Sequence, residues 1–148
     1  MINTNNLNEA RKQIQKAVKE GKGVVVQAGS DDFNRKILEN KDVDMIVGLE
    51  LHNRGDRLKQ RDSGLNEILC KLAKKNDIKI GIDVLAISRL DKIEKARVLA
   101  RVRQNIGLCK RIGCKMVLIG NGSKQDILSF FLSLKGSTKQ AKVAFSFK

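Results

Sequence analysis

Ile78-Lys79-Ile80-Gly81-Ile82-Asp83-Val84 and Met116-Val117-Leu118-Ile119 are short, nearly continuous apolar runs, and each follows a segment with helical periodicity. The first is preceded by Asp62-Ser63-Gly64-Leu65-Asn66, a helix start, and by Leu65, Ile68, Leu69 and Leu72 at i, i+3, i+4 and i+7. The second is preceded by a longer helical segment from about Ser88 to Ile112 and is followed by the loop Gly120-Asn121-Gly122-Ser123-Lys124. Strands buried on both faces read as unbroken apolar runs, and their alternation with helices is the pattern of a parallel α/β sheet.

The same pattern extends to both sides of this stretch. Residues 5–20 carry Leu7, Ala10, Ile14, Ala17 and Val18 at helical spacing, with Gly21 as the stop. Val24-Val25-Val26 reads as a strand and ends near Ser30 or Asp31, either of which can cap a helix holding Phe33, Ile37 and Leu38. Met45-Ile46-Val47-Gly48-Leu49 follows as a strand, and Val143-Ala144-Phe145 reads as a last one. The expectation is a single α/β domain over residues 1–148, with about five parallel strands and flanking helices. Glu50 to Asp62 forms the one long connection, and long connections in compact domains usually serve function.

Charge is the strongest compositional signal. The 148 residues carry 30 Lys and Arg against 16 Asp and Glu, a formal net charge of +14. Residues 1–50 are neutral, with eight of each sign, so the excess lies entirely in residues 51–148. One-sided charge of this kind predicts a polyanionic partner, the alternative being solvated surface lysines. No apolar run approaches the length that spans a membrane, the N-terminus lacks a signal-peptide pattern, and the basic helices lack a bulky aromatic face, so a soluble cytoplasmic protein without a membrane partner is expected.

Within the 88–112 segment, Val98, Val102, Ile106 and Cys109 fall on one side, and Arg89, Arg97, Arg101 and Arg111 read as the opposite side, flanked by Lys92, Arg103 and Lys110. With Arg57 and Arg61 of the long connection and Ser123 and Lys124 at a helix start, this gives Arg57, Arg61, Arg97, Arg101, Arg103, Lys110, Arg111, Ser123 and Lys124 as candidate RNA contacts. Guanidinium and ammonium groups facing phosphates bind with a steep salt dependence because each contact releases a counterion. The 120–124 loop suits a phosphate but has neither Walker A nor dinucleotide-binding spacing.

Catalytic chemistry is thin. His52 is the only histidine, and no set of His, Cys and carboxylates has metal-ligand spacing. Cys70, Cys109 and Cys114 show no CxxC pattern and read as reduced, buried thiols. Glu50, Asp44 and Asp83 lie near strand ends, where α/β enzymes keep catalytic groups, and Asp83 with Glu50 and His52 would be the site of a small metal-dependent phosphoesterase, the main enzymatic alternative. A basic scaffold that meets an acidic protein is the third reading. No catalytic residue, metal ligand or cofactor is expected.

Two segments bear a family resemblance. Asn34-Arg35-Lys36-Ile37-Leu38-Glu39-Asn40-Lys41-Asp42-Val43-Asp44 resembles the N-R-x-x-x-E-N-x-x-V-D segment of the ribonuclease P protein component 3 family, and Asp62-Ser63-Gly64-Leu65-Asn66 is similar to its D-S-G-[IL]-N segment. Lys95-Ala96-Arg97 and Gln140-Ala141 follow in the family's order, so the likeness runs over about residues 20–148. It implies a non-catalytic, RNA-binding subunit of an archaeal-type ribonucleoprotein that removes 5′ leaders from precursor tRNA. By the same resemblance, ribonuclease P RNA and precursor tRNA are partners, component 2 and other subunits are protein partners, and the catalytic magnesium resides on the RNA. The implied fold is a barrel of βα units related to metal-dependent phosphoesterases. Family members begin with further βα units that this sequence lacks, so a partial or truncated TIM-type barrel, or an open parallel sheet, is expected, with edges that need cover.

Overall fold

The computed structural model describes residues 1–56, 58, 61–120 and 122–145. Its elements alternate in chain order as α1 (Leu7–Lys19), β1 (Val25–Gln27), α2 (Asp31–Leu38), β2 (Met45–Val47), a 3-10 turn at Leu49–Leu51, α3 (Glu67–Lys75), β3 (Lys79–Asp83), α4 (Val84–Ser88), α5 (Lys92–Ile112), β4 (Met116–Ile119), α6 (Lys124–Ser133) and α7 (Thr138–Phe145). The four strands form one parallel sheet in the order β1-β2-β3-β4, so each βα unit adds its strand beside the last. With right-handed crossovers, that progression keeps the connecting helices on one face of the sheet.

The register sets the layers. Val26, Ile46, Ile80 and Met116 pair across all four strands, and each is at most 1% exposed. They join Ile14, Ile37, Cys70, Ile106 and Phe131 in one core that runs from Ile2 to Ala144. In the alternate row, Val47 and Val117 flank Gly81, where an added Cβ would come 2.8 Å from both Met45 Sδ and Val47 Cγ2. Val25, Met45 and Lys79 pair on that same face and are only half-buried. The free side of β1 is covered by the N-terminus: the Ile2 amide donates to the Val25 carbonyl at 2.7 Å, and the Gln27 amide donates to the Ile2 carbonyl at 2.8 Å.

The open parallel sheet with flanking helices matches the sequence expectation, with two differences of detail. The strands number four among the described residues. Val143-Ala144-Phe145 lies in α7, because Ala141 and Ala144 turn one face inward at helical spacing and Ser137 starts the helix by accepting from the Gln140 amide. The Gln140 side chain then donates to the Ile106 carbonyl at 3.0 Å and ties this helix to α5. The helix expected from about Ser88 starts at Lys92, and a separate short helix, α4, precedes it. Asp83 caps α4 through the Ala86 amide, and Asp91 caps α5 through the amides of Ile93 and Glu94 at 2.8 and 2.9 Å. Among the described residues the sheet does not close into a barrel, in line with the expected open sheet or partial barrel.

The resemblance segments turn out to be folding devices. Asn34, 2% exposed, accepts from the Gly29 amide and donates to the Gly29 carbonyl, fixing the turn from β1 into α2. Asp44 accepts from the Val24 amide at 2.7 Å and aligns β1 with β2. Ser63 is buried and donates to the Leu65 carbonyl, and Asn66 caps α3 through the Leu69 amide. Gly64 has φ of 72°, and a side chain there would overlap the Leu49 carbonyl.

Candidate nucleic-acid interface

The long connection between β2 and α3 crosses the C-terminal edge of the sheet, the edge at which parallel α/β folds build their sites. One side of α5 holds it in place. The Arg101 guanidinium donates to the carbonyls of Glu50, His52 and Arg54 at 3.2, 2.8 and 2.6 Å and lies 3.6 Å from Asp56 Oδ1. One turn on, Gln104 donates to the Arg61 carbonyl and Asn105 to the Ser63 carbonyl. Three side chains, Arg101, Gln104 and Asn105, thus fasten five carbonyls of this connection.

Arg101 is 1% exposed, so it departs from the expectation that it faces phosphate. The reason lies in the helix geometry. At roughly 100° per residue, Arg101 stands beside the Val98–Val102–Cys109 face rather than opposite it, and the connection packs over that flank. The true outer arc carries Lys92, Arg103 and Lys110, which fall nearly in line and span roughly 27 Å along the axis at 1.5 Å per residue. Arg97 and Arg111 lie to one side of that line, also exposed. Among the described residues Arg103 and Lys110 have no carboxylate within 4.0 Å, whereas Arg111 approaches Glu67 at 3.8 Å.

The remaining candidates are dispersed. Arg57 falls outside the described residues. Arg61 is exposed and pairs with Asp56 at 3.4 Å, beside a shallow cavity of about 180 Å³ lined by Asp31, Asp62, Ser63, Asn66 and Gln104. Ser123 is occupied by a capping box: its hydroxyl accepts from the Asp126 amide, and its own amide donates to the Asp126 carboxylate. Lys124 sits 5.8 Å above the Phe145 ring. Because α5 runs antiparallel to the strands, Lys110 and Arg111 lie at the end of the sheet opposite to Ser123 and Lys124. The sequence also passes over Arg54, which bridges Asp31 at 2.6 Å and Asp62 at 3.4 Å, and over Asn105, a polar residue set among the buried positions of α5.

Glu50, His52 and Asp83 do not assemble a metal site: among the described residues they do not converge within the 4.8 Å that shared ligation requires. His52 Nε2 donates to the Asp62 carbonyl at 3.0 Å, and burial and the Arg101 charge hold the imidazole below its usual range. Asp83 is used as a helix cap. Glu50 is fully buried, and its carboxylate has no hydrogen-bond partner among the described residues. Burial pushes its carboxyl up to about 7, with the Asp83 charge adding to the effect against a backbone hydrogen bond that opposes it.

The cysteines are reduced, buried thiols as expected. They also converge: the sulfurs of Cys70, Cys109 and Cys114 all lie within 4.8 Å of one another. No spacing rule finds this set, because Cys70 comes from α3 and meets the other two only through the packing of α3 on α5.

No family model matches the chain. Curated proteins named ribonuclease P protein component 3 are similar to it. That of Methanococcus vannielii is 27% identical over 117 residues, which is 79% of this chain and 48% of the relative. Those of Methanocaldococcus jannaschii and Methanosarcina acetivorans are 27% and 32% identical, covering 74% and 64% of this chain and 46% and 36% of their own. The chain therefore spans about half the length, or less, of these relatives. Among solved structures, a chain of the cryo-EM structure of archaeal ribonuclease P with mature tRNA shares the fold with a TM-score of 0.76 at 23% identity, over 98% of this chain and 62% of that one. No helix among the described residues is long and apolar enough to cross a membrane. This chain is therefore similar in sequence to ribonuclease P protein component 3 over about half of that protein's length, and it shares its fold with a chain of the archaeal ribonuclease P structure.

Proposed function

We propose that this chain acts as an RNA-binding protein subunit of ribonuclease P, supporting the RNA subunit in removing 5′ leaders from precursor tRNA. The observation that carries the reading is the sequence match to component 3 proteins across most of this chain. The shared fold and the basic outer arc of α5 support it. In this reading the protein is not itself catalytic and the magnesium that performs the chemistry belongs to the RNA. Component 2 and other subunits of the complex are the protein partners, and the cytoplasm is the compartment.

Lys92, Arg97, Arg103 and Lys110 supply the phosphate contacts. Cations spaced along one helix neutralise successive phosphates by shape rather than base identity, which suits a structured RNA. Arg101 is not among them: it holds the Arg54 and Arg61 connection on the other flank of α5.

The test is reconstitution. Precursor-tRNA cleavage by the cognate RNA and component 2 at limiting magnesium is expected to rise when this chain is added. Arg103→Glu with Lys110→Glu is expected to weaken binding to the RNA at least tenfold. It should also flatten the dependence of log affinity on log salt by about 1.5, the loss of roughly two phosphate contacts. Absence of stimulation by a folded chain would refute the subunit reading, and an unchanged salt slope would refute this surface.

A further inference from the structure

Cys70 projects from α3, Cys109 from the last turn of α5, and Cys114 follows the left-handed Gly113 that ends α5. Their exposures are 0%, 1% and 6%, and no disulfide joins them. A zinc ion bound by thiolates at about 2.3 Å in tetrahedral array holds its sulfurs about 3.8 Å apart. Three sulfurs already within 4.8 Å of each other reach that spacing through small side-chain adjustments, without movement of the backbone.

The surroundings suit a site that carries negative charge. Lys74, one turn beyond Cys70, donates to the Ile112 carbonyl at 2.8 Å and passes 3.5 Å from the place a Gly113 Cβ would occupy. Its charge acts on Cys114, and that of Arg111 acts on Cys70. Three thiolates with one divalent ion leave a net charge of about −1, which the adjacent cations Lys74 and Arg111 more than offset. Thiolate donors select soft ions over magnesium or calcium. A hollow bounded by Glu67, Lys71, Lys74, Lys75, Arg111 and Ile112 opens beside these helix ends.

We propose that Cys70, Cys109 and Cys114 form a three-thiolate site for zinc, with a water molecule as the fourth ligand. Binding converts the thiols to thiolates and releases their protons to solvent, with no change of oxidation state. The ion ties α3 to the turn between α5 and β4. This site is independent of the ribonuclease P reading, and its test involves no RNA.

The experiment is a cobalt titration of the full chain, reduced, stripped by chelator and kept free of oxygen. One equivalent of Co²⁺ is expected to produce sulfur-to-cobalt charge-transfer absorption together with tetrahedral d–d bands, both abolished by Zn²⁺. Zinc at low micromolar free concentration is expected to raise the melting temperature by several degrees. Cys114→Ser, the least enclosed of the three, is expected to lose at least tenfold in cobalt affinity while its metal-free melting temperature stays within a few degrees of the parent's. A folded parent chain without charge-transfer absorption overturns the proposal. So does a Cys114→Ser chain that binds cobalt as tightly as the parent, or a pair of these thiols oxidised to a disulfide in the reduced preparation.

Discussion

Arg101 and Arg103 stand two residues apart on α5, and one is sealed inside the molecule while the other faces solvent. The first makes three hydrogen bonds to carbonyls of the β2–α3 connection, and the second sits in line with Lys92 and Lys110 on the outer arc. The difference teaches that a basic helix need not be basic for one reason. Part of its charge organises the polypeptide, and only the remainder is available to a polyanion.

That division can be broken from the inside first. Arg101→Met removes the donors for three carbonyls and leaves those carbonyls without a protein partner. It is expected to destabilise the fold by about 3–5 kcal/mol, within the range for loss of a buried, hydrogen-bonded charge. Urea unfolding measures the loss, and limited proteolysis should cut the 52–62 connection ahead of the rest. A loss under about 1 kcal/mol would show that the connection is held by something other than Arg101.

Glu50 provides the next largest effect, with a sign that depends on pH. Its carboxyl is raised in the folded protein to about 7 from the ordinary 4.5. Below pH 4.5 both folded and unfolded states are protonated and the group is neutral to stability. Between 4.5 and 7 the unfolded chain ionises first, so stability falls as pH rises, by on the order of 3 kcal/mol in all, and is level above 7. Glu50→Gln keeps a neutral polar group of the same size. It should therefore match the parent at pH 4 and exceed it by a few kcal/mol at pH 8. Parallel stability profiles for the two proteins across this range would mean that the carboxylate is solvated or paired after all.

How far the sequence could be read depends on whether the deciding contact is local. β3 and Met116–Ile119 are legible because strands of a parallel sheet read as nearly continuous apolar runs. The Asp62-Ser63-Gly64-Leu65-Asn66 helix start is legible because capping is a property of adjacent residues, and Asn66 does cap α3. Val143-Ala144-Phe145 is misleading because three apolar residues fit a strand or a helix equally, and Gln140 reaching Ile106 selects the helix. Arg101 misleads for a different reason. A helical wheel gives angle but not neighbours, and its flank is covered by a segment some fifty residues upstream. The thiol cluster is illegible in the same way, since Cys70 and Cys109 are brought together only by tertiary packing.

The outer arc supplies the smallest effect on the fold, and that smallness is what makes it informative. Arg103→Gln with Lys110→Gln removes two exposed charges that have no carboxylate within 4.0 Å among the described residues. Surface charges of this kind contribute little to stability, and relief of repulsion on a chain of net charge +14 offsets part of any loss. The double variant is therefore expected to unfold within about 0.5 kcal/mol of the parent. If instead it lost stability on the scale of Arg101→Met, Arg103 and Lys110 would belong to the folding machinery. The distinction between inner and outer arginines would then collapse, and weakened RNA binding by charge reversals at these positions would no longer report a contact. With stability preserved, a fall in affinity and salt slope is attributable to the lost phosphate contacts themselves.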